Sequence, residues 1–293
     1  MKTIRSIVLL VLATASLSFL DRALAQTPSA NAGKSWLNSK LAVQLWSFRD
    51  DLGKDVPGTL KRVRALGFTR VELAGYYGLT AQQFRAELAK ADLQAVAMHI
   101  EYETARDRID EVIREAKLFG VRDVGVPWIK SPFTRDDCLA ASEVFNRAGK
   151  RLAASGIRFF YHLHGYEFVA DSTGKGTLLD LLLAQTDPRY VSLQLDTYHV
   201  AFPGQDPIAL LRKYRGRFSS LHLKDIRKEV VGDQSGDYRE ADAVPMGQGK
   251  VDWPALLKVA RQQGLRWYII EDETTAVWPA ITASLNYLET LKF

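Results

Sequence analysis

The chain has 293 residues, 47% of them hydrophobic and 25% charged, with twenty glycines, ten prolines and one cysteine. This balance excludes collagen-like, low-complexity and disordered chains, and a lone thiol cannot staple a disulfide scaffold. The formal net charge of +5 is spread without a basic block, which argues against a nucleic-acid partner.

Lys2 and Arg5 open the sequence, a mostly apolar run from Ile7 to Leu20 follows, and Ala23-Leu24-Ala25 precedes Gln26. That is the pattern of a signal peptide, residues 1–25, cleaved after Ala25, so export to the periplasm is expected. The apolar run is short and interrupted by Thr14, Ser16 and Ser18, so no stable membrane insertion is expected. Residues 26–39 are small and polar and read as a flexible lead-in. One domain is expected over residues 40–293.

From Leu41 onward, short apolar runs of strand character alternate with longer stretches of helical period. The strand candidates are residues 41–48, 68–74, 94–100, 122–128, 158–164, 191–199, 218–225 and 267–273, eight in all. Between them, Asp55 precedes a helical face of Val56, Leu60 and Val63 that ends at Gly67. Asp206-Pro207 and Asp252 with Pro254 open two more helices, and Gly120 and Gly156 close others. Strict alternation of strand and helix implies parallel strands joined by crossover helices. Eight such units predict a single (β/α)8 TIM barrel. A doubly wound sheet is disfavoured because no GxGxxG follows the first strand. Residues 226–250 form one long connection, expected to be a loop that covers substrate on the catalytic face. Cys138 reads as a buried, inert thiol.

In a parallel barrel the chemistry gathers at the C-terminal ends of the strands. All five histidines (His99, His162, His164, His199 and His222) fall at or near a predicted strand end, as do Glu72, Asp196 and Glu271. Residues two apart share a strand face, which pairs His162 with His164, His222 with Lys224 and Glu271 with Glu273. Singly, each has a plain structural role open to it: a hydrogen-bonded core histidine, a salt-bridge glutamate, or a helix cap for Asp196. Together, acids and imidazoles converging on one end point to a divalent metal. Trp46, Phe48, Tyr76, Tyr77, Trp128 and Tyr198 lie near strand ends and suit the apolar faces of sugar rings.

At these residues the chain resembles the sugar phosphate isomerase/epimerase superfamily of xylose isomerase-like barrels. The resemblance rests on VELAGYYG (71–78), YHLHGYEF (161–168), LDTYHV (195–200), LHLKD (221–225), GQGKVDWPALL (247–257) and YIIEDE (268–273). It implies one divalent ion (manganese first, then cobalt, zinc or magnesium) held by Asp196, His222, Glu271 and, where the family has a glutamate, His162. His164 or Glu167 are the other candidates for that fourth place. The implied reaction isomerises or epimerises a sugar or keto-sugar through an enediolate, with Glu271 and His162 as catalytic groups. Glu72, His99, Trp128, His164, His199 and Lys224 are the expected substrate contacts. The missing second glutamate keeps a keto-glycoside lyase or dehydratase open, as well as a sugar-binding barrel without turnover. An abasic-site phosphodiesterase of the same barrel type would need more histidine and acidic ligands. The expected partner is a small carbohydrate, with homo-oligomerisation left open.

Overall fold

A computed structural model describes residues 36–292, so the expected signal peptide lies outside the described residues. Eight parallel strands close a barrel: β1 Leu41–Gln44, β2 Arg70–Leu73, β3 Gln94–His99, β4 Asp123–Val126, β5 Arg158–His162, β6 Val191–Asp196, β7 Phe218–Leu223 and β8 Trp267–Ile270. Each strand pairs with its neighbour in sequence, and β8 closes on β1 through Leu41↔Tyr268, Ala42↔Ile269 and Val43↔Ile270. One principal helix follows each strand: α1 Val56–Ala65, α2 Ala81–Lys90, α3 Ile109–Phe119, α4 Arg135–Ala153, α5 Leu178–Gln185, α6 Pro207–Lys213, α7 Trp253–Gln262 and α8 Val277–Thr290. Among the described residues no helix is long and apolar enough to cross a membrane.

The local signals act as physics requires. Asp55, Asp206 and Asp252 accept from the backbone N–H groups of Gly58, Ile208 and Ala255. Thr80, Thr134 and Thr177 close capping boxes with Gln83, Asp137 and Asp180. Gly120 ends α3 at φ 71°, where a Cβ would be strained. Every expected strand except 68–74 and 94–100 overruns its ladder by two or more residues at its C-terminal end. Residues 45–48 wind into a 3-10 turn, and Thr197–Ala201 form a short helix capped by Asp196. Of the expected lead-in, residues 36–38 form a helical turn with Leu37 buried, because Leu37 and Trp36 are apolar enough to pack; Trp36 meets Tyr268 edge-on.

Alternation along the strands sorts two apolar regions. One sleeve lies between sheet and helices, including Val43, Val71, Tyr161 and Leu193. Ala42, Val96 and Ile269 form a separate cluster; Ala42 and Ile269 lie two residues before Gln44 and Glu271, on the inward face. Near the strands' N-terminal ends, buried Asp123 accepts from Arg158, Arg266 and the Trp267 indole. Cys138 is buried against the Leu178 carbonyl, and burial pushes its thiol up to about 12.

Gly149, inside α4, marks a close approach. A Cβ there would lie 2.4 Å from the Tyr190 carbonyl oxygen, which is backbone and cannot rotate away. Gly149→Ala gains roughly 1 kcal/mol of helix propensity but overpacks the sheet side by about 1–3 kcal/mol. Net destabilisation in thermal unfolding is the expected result.

Residues 225–252 are anchored by Asp225. Its carboxylate accepts from the N–H groups of Ile226, Gly247, Gly249 and Val251 and from the Trp253 indole. Asp225–Ile226 pair antiparallel with Ala243–Val244. The segment is tied to the rims of β4, β5, β6 and β8 through Ser235–Ser131, Gln234–Phe168, Arg239–Tyr198 and Glu240–Thr275.

Candidate active site

Gln44, Glu72, His99, His162, Gln194 and His222 come from six strands and form one polar floor. The Gln194 amide sets its direction. Gln194 Nε2 donates to Glu72 Oε1 (3.0 Å) and Ser220 Oγ (3.2 Å), so Oε1 is the acceptor for His99 Nε2 (2.9 Å) and His162 Nδ1 (2.8 Å). Both imidazoles therefore donate to Gln194 and keep a lone pair on the other nitrogen. That of His99 faces Gln44 Nε2 at 3.3 Å; that of His162, on Nε2, faces Asp196 Oδ2 at 3.7 Å. Burial, followed by the neighbouring imidazoles, holds His162 well below the ordinary histidine value, so it is neutral.

His222 differs from its neighbours because both of its nitrogens face carboxylates. Nε2 lies 2.5 Å from Glu72 Oε2, and Nδ1 lies 2.9 Å from Glu271 Oε2. Burial disfavours the imidazolium, yet Glu72 and Glu271 outweigh it and raise His222 to about 10. Lys224 Nζ bridges Glu271 Oε2 (3.2 Å) and Glu273 Oε1 (2.5 Å), and stands 3.6 Å from Asp196 Oδ2. Asp196 Oδ1 accepts from His199 N–H, whereas the buried Oδ2 has no hydrogen-bond partner. Burial raises Asp196 to about 6, against the pull of Lys224 and His222.

These donors fit a divalent cation. One ligand atom each from Asp196, His222 and Glu271 lies within 4.8 Å of the others, and the free lone pair of His162 points the same way. An orphaned carboxylate oxygen facing an imidazole lone pair with no proton between them suits a positive ion. His222 would ligate through Nδ1 while Nε2–H donates to Glu72, the carboxylate–histidine support common behind metal ligands. A second trio, His99, His162 and His222, is equally close, but both nitrogens of His99 are engaged by Gln194 and Gln44.

Above the floor opens a cavity of about 560 Å³. It is lined by His99, Trp128, His162, His164, Lys224 and Glu271 among the expected site residues. Glu72 is not a substrate contact: it is fully buried beneath His222, held by Gln44 and Gln194. His199 sits behind His164, ring centroids 4.4 Å apart, and does not line the cavity. Glu167 does not reach the Asp196–His222–Glu271 cluster. Its carboxylate turns under the loop after β5 to accept from Tyr161 OH and the N–H groups of His164 and Gly165. Phe48 and Tyr198 are buried and Tyr77 packs on the core, so Trp46, Tyr76 and Trp128 are the expected aromatic residues at the cavity. Among the described residues, none of 226–250 lines it; Tyr238 instead packs on Lys224, its ring centre 4.9 Å from Nζ. Unexpected members are Gln44 and Gln194 in the floor and Glu101, Thr104, Arg108, Glu111 and Glu115 in the wall. Strand parity could have found Gln194, two residues before Asp196; the wall carries no such signal.

A family model described as xylose isomerase-like TIM barrel matches residues 60–292. The chain belongs to this family. An inosose dehydratase of Bacillus anthracis (strain CDC 684 / NRRL 3495) is 37% identical over 184 residues, 59% of this chain and 59% of that protein. The chain thus spans less than two thirds of the length of such curated relatives. A crystal structure titled sugar phosphate isomerase/epimerase, from Parabacteroides distasonis ATCC 8503, superposes with TM-score 0.68 at 26% identity, covering 85% of this chain and 93% of the other. A xylose isomerase-like TIM barrel protein from Mycobacterium smegmatis, solved in complex with magnesium, superposes with TM-score 0.65 at 16% identity over 85% and 95% of the two chains, a likeness of fold. Proteins similar to this chain thus carry the names of isomerases or epimerases and of dehydratases.

Proposed function

We propose that this family member is a divalent-metal-dependent enzyme that removes the proton next to the carbonyl of a keto-sugar or keto-polyol and eliminates the hydroxyl one carbon further on. The carrying observation is the meeting of Asp196, His222 and Glu271 within 4.8 Å, with Asp196 Oδ2 accepting no hydrogen bond, at the base of a sugar-sized cavity. These three residues and His162 would hold the ion, which supplies charge stabilisation for the enolate oxygen. Glu271 takes the proton from carbon through its carboxylate. Lys224, 3.2 Å away and fixed by Glu273, gives a proton to the departing hydroxyl, which leaves as water. The carbon–oxygen bond breaks as the new carbon–carbon double bond forms, so no oxidant is needed.

Elimination is preferred over epimerisation on one observation. Epimerisation needs a second base on the opposite face of the ring, and β5 presents His162 and His164 there instead of a glutamate. No carboxylate from β5 lines the cavity; His162 and His164 stand there, and burial depresses both. The likeness to inosose dehydratases supports the same choice, and the likeness to isomerases and epimerases supports the shared first step. Export, expected from residues 1–25, would place the reaction in the periplasm.

The test uses metal-stripped protein and an inosose. Restoring manganese or magnesium should restore both solvent-deuterium exchange at the carbon beside the carbonyl and a product lighter by one water. Exchange that persists without metal would overturn the mechanism. Exchange with metal but an epimer as product would favour the second reading.

A further inference from the structure

We propose that the outer part of the cavity is a second sugar subsite, built for an unphosphorylated unit attached to the one that reaches Asp196 and Glu271. The inference rests on that reading of the inner end. The volume of about 560 Å³ falls within the range of clefts that enclose drug-sized molecules. A single six-carbon ring at the inner end would leave much of this space to water.

The outer wall has its own chemistry. The short helix Tyr102–Asp107 and the start of α3 supply Glu101, Thr104, Arg108, Glu111 and Glu115. These are hydrogen-bonding groups suited to hydroxyls, and Tyr76 OH steadies Glu115 at 2.7 Å. Trp46 also lines the cavity and is 43% exposed; among the described large hydrophobic residues, it and Val231 are the exposed ones. Its indole is fixed, not loose. Nε1 donates to Glu273 Oε2 at 3.0 Å, and the Arg49 guanidinium lies 5.0 Å from the ring. A held aromatic surface beside carboxylates can take the apolar face of a sugar ring while its hydroxyls are bonded at the edge.

Charge decides against phosphate. Three carboxylates share the outer wall with one cation, Arg108, which itself lies 3.8 Å from Glu111. Lys224, the other cation lining the cavity, is engaged by Glu271 and Glu273. A phosphate dianion would meet net negative charge where recognition needs unpaired arginines or lysines.

Calorimetry on the manganese-loaded protein tests this with glucose, glucose 6-phosphate and the disaccharides cellobiose, lactose, maltose and trehalose. At least one disaccharide should bind roughly tenfold tighter than glucose, and Trp46→Ala should remove most of that advantage. Glucose 6-phosphate should bind more weakly than glucose, and Glu111→Lys should narrow that gap. The proposal fails if no disaccharide exceeds glucose, if no sugar binds, or if glucose 6-phosphate binds tighter than glucose. Binding is read without turnover, so disaccharide preference without proton exchange would sink the reaction above and leave this subsite standing.

Discussion

Glu271→Gln should lower kcat by about 10²–10⁴-fold, the usual contribution of a positioned general base. The amide keeps the shape of the side chain and leaves Lys224 its 2.5 Å bond to Glu273, so the cavity should remain intact. What disappears is the only carboxylate that both lines the cavity and touches His222 among the described residues. Because Glu271 is also a proposed ligand, turnover must be measured at saturating manganese, with bound metal counted. Asp196→Asn is the companion: it removes charge from the orphaned oxygen, and its main effect should be weakened metal binding. Turnover near wild type in metal-replete Glu271→Gln would refute the assignment of the base.

Asp225→Ala should destabilise the fold by about 3 kcal/mol or more, lowering Tm by roughly 10 °C. Five donors share this carboxylate, four backbone N–H groups and a buried indole, and among the described residues those of Gly247, Gly249, Val251 and Trp253 have no other acceptor. Each buried donor left unsatisfied costs about 1–3 kcal/mol, less where water enters. The space is closed to repair by larger residues: a Cβ on Gly249 would fall 2.3 Å from the Ile226 carbonyl oxygen. Asp225→Asn, which keeps one acceptor oxygen, should fall between the two in thermal unfolding. A shift under about 0.5 kcal/mol, the scale of ordinary surface substitutions, would mean that the 225–252 segment is held by something else.

Much of this architecture is readable from the sequence because barrel chemistry and periodicity coincide. Inward residues recur at every second position, so the parity linking Asp196 to Gln194, or His222 to Lys224, survives errors in where a strand ends. The ends themselves are less legible: Thr197 to Ala201 are as apolar as a strand, yet Asp196 caps them into a helix. The histidines stand out because they are few. Gln44 and Gln194 do not, since an uncharged amide carries no sign of being buried, although they fix the orientation of His99 and His162. Glu167 shows the opposite failure. Its place five residues after His162 suggests a ligand, but two backbone N–H groups and Tyr161 capture it first. The wall from Glu101 to Glu115 depends on a helix break at Arg108 that no capping residue announces.

The amide of Gln194 has an evolutionary corollary. Since it can face only one way between Glu72 and the two imidazoles, each partner is committed to giving or receiving hydrogen. A lineage that exchanged Gln194 for glutamate would set two acids against each other, unless Glu72 became an amide in the same step. Changes in this layer should therefore travel in company, as matched swaps across strands that are far apart in sequence and adjacent only in the closed cylinder.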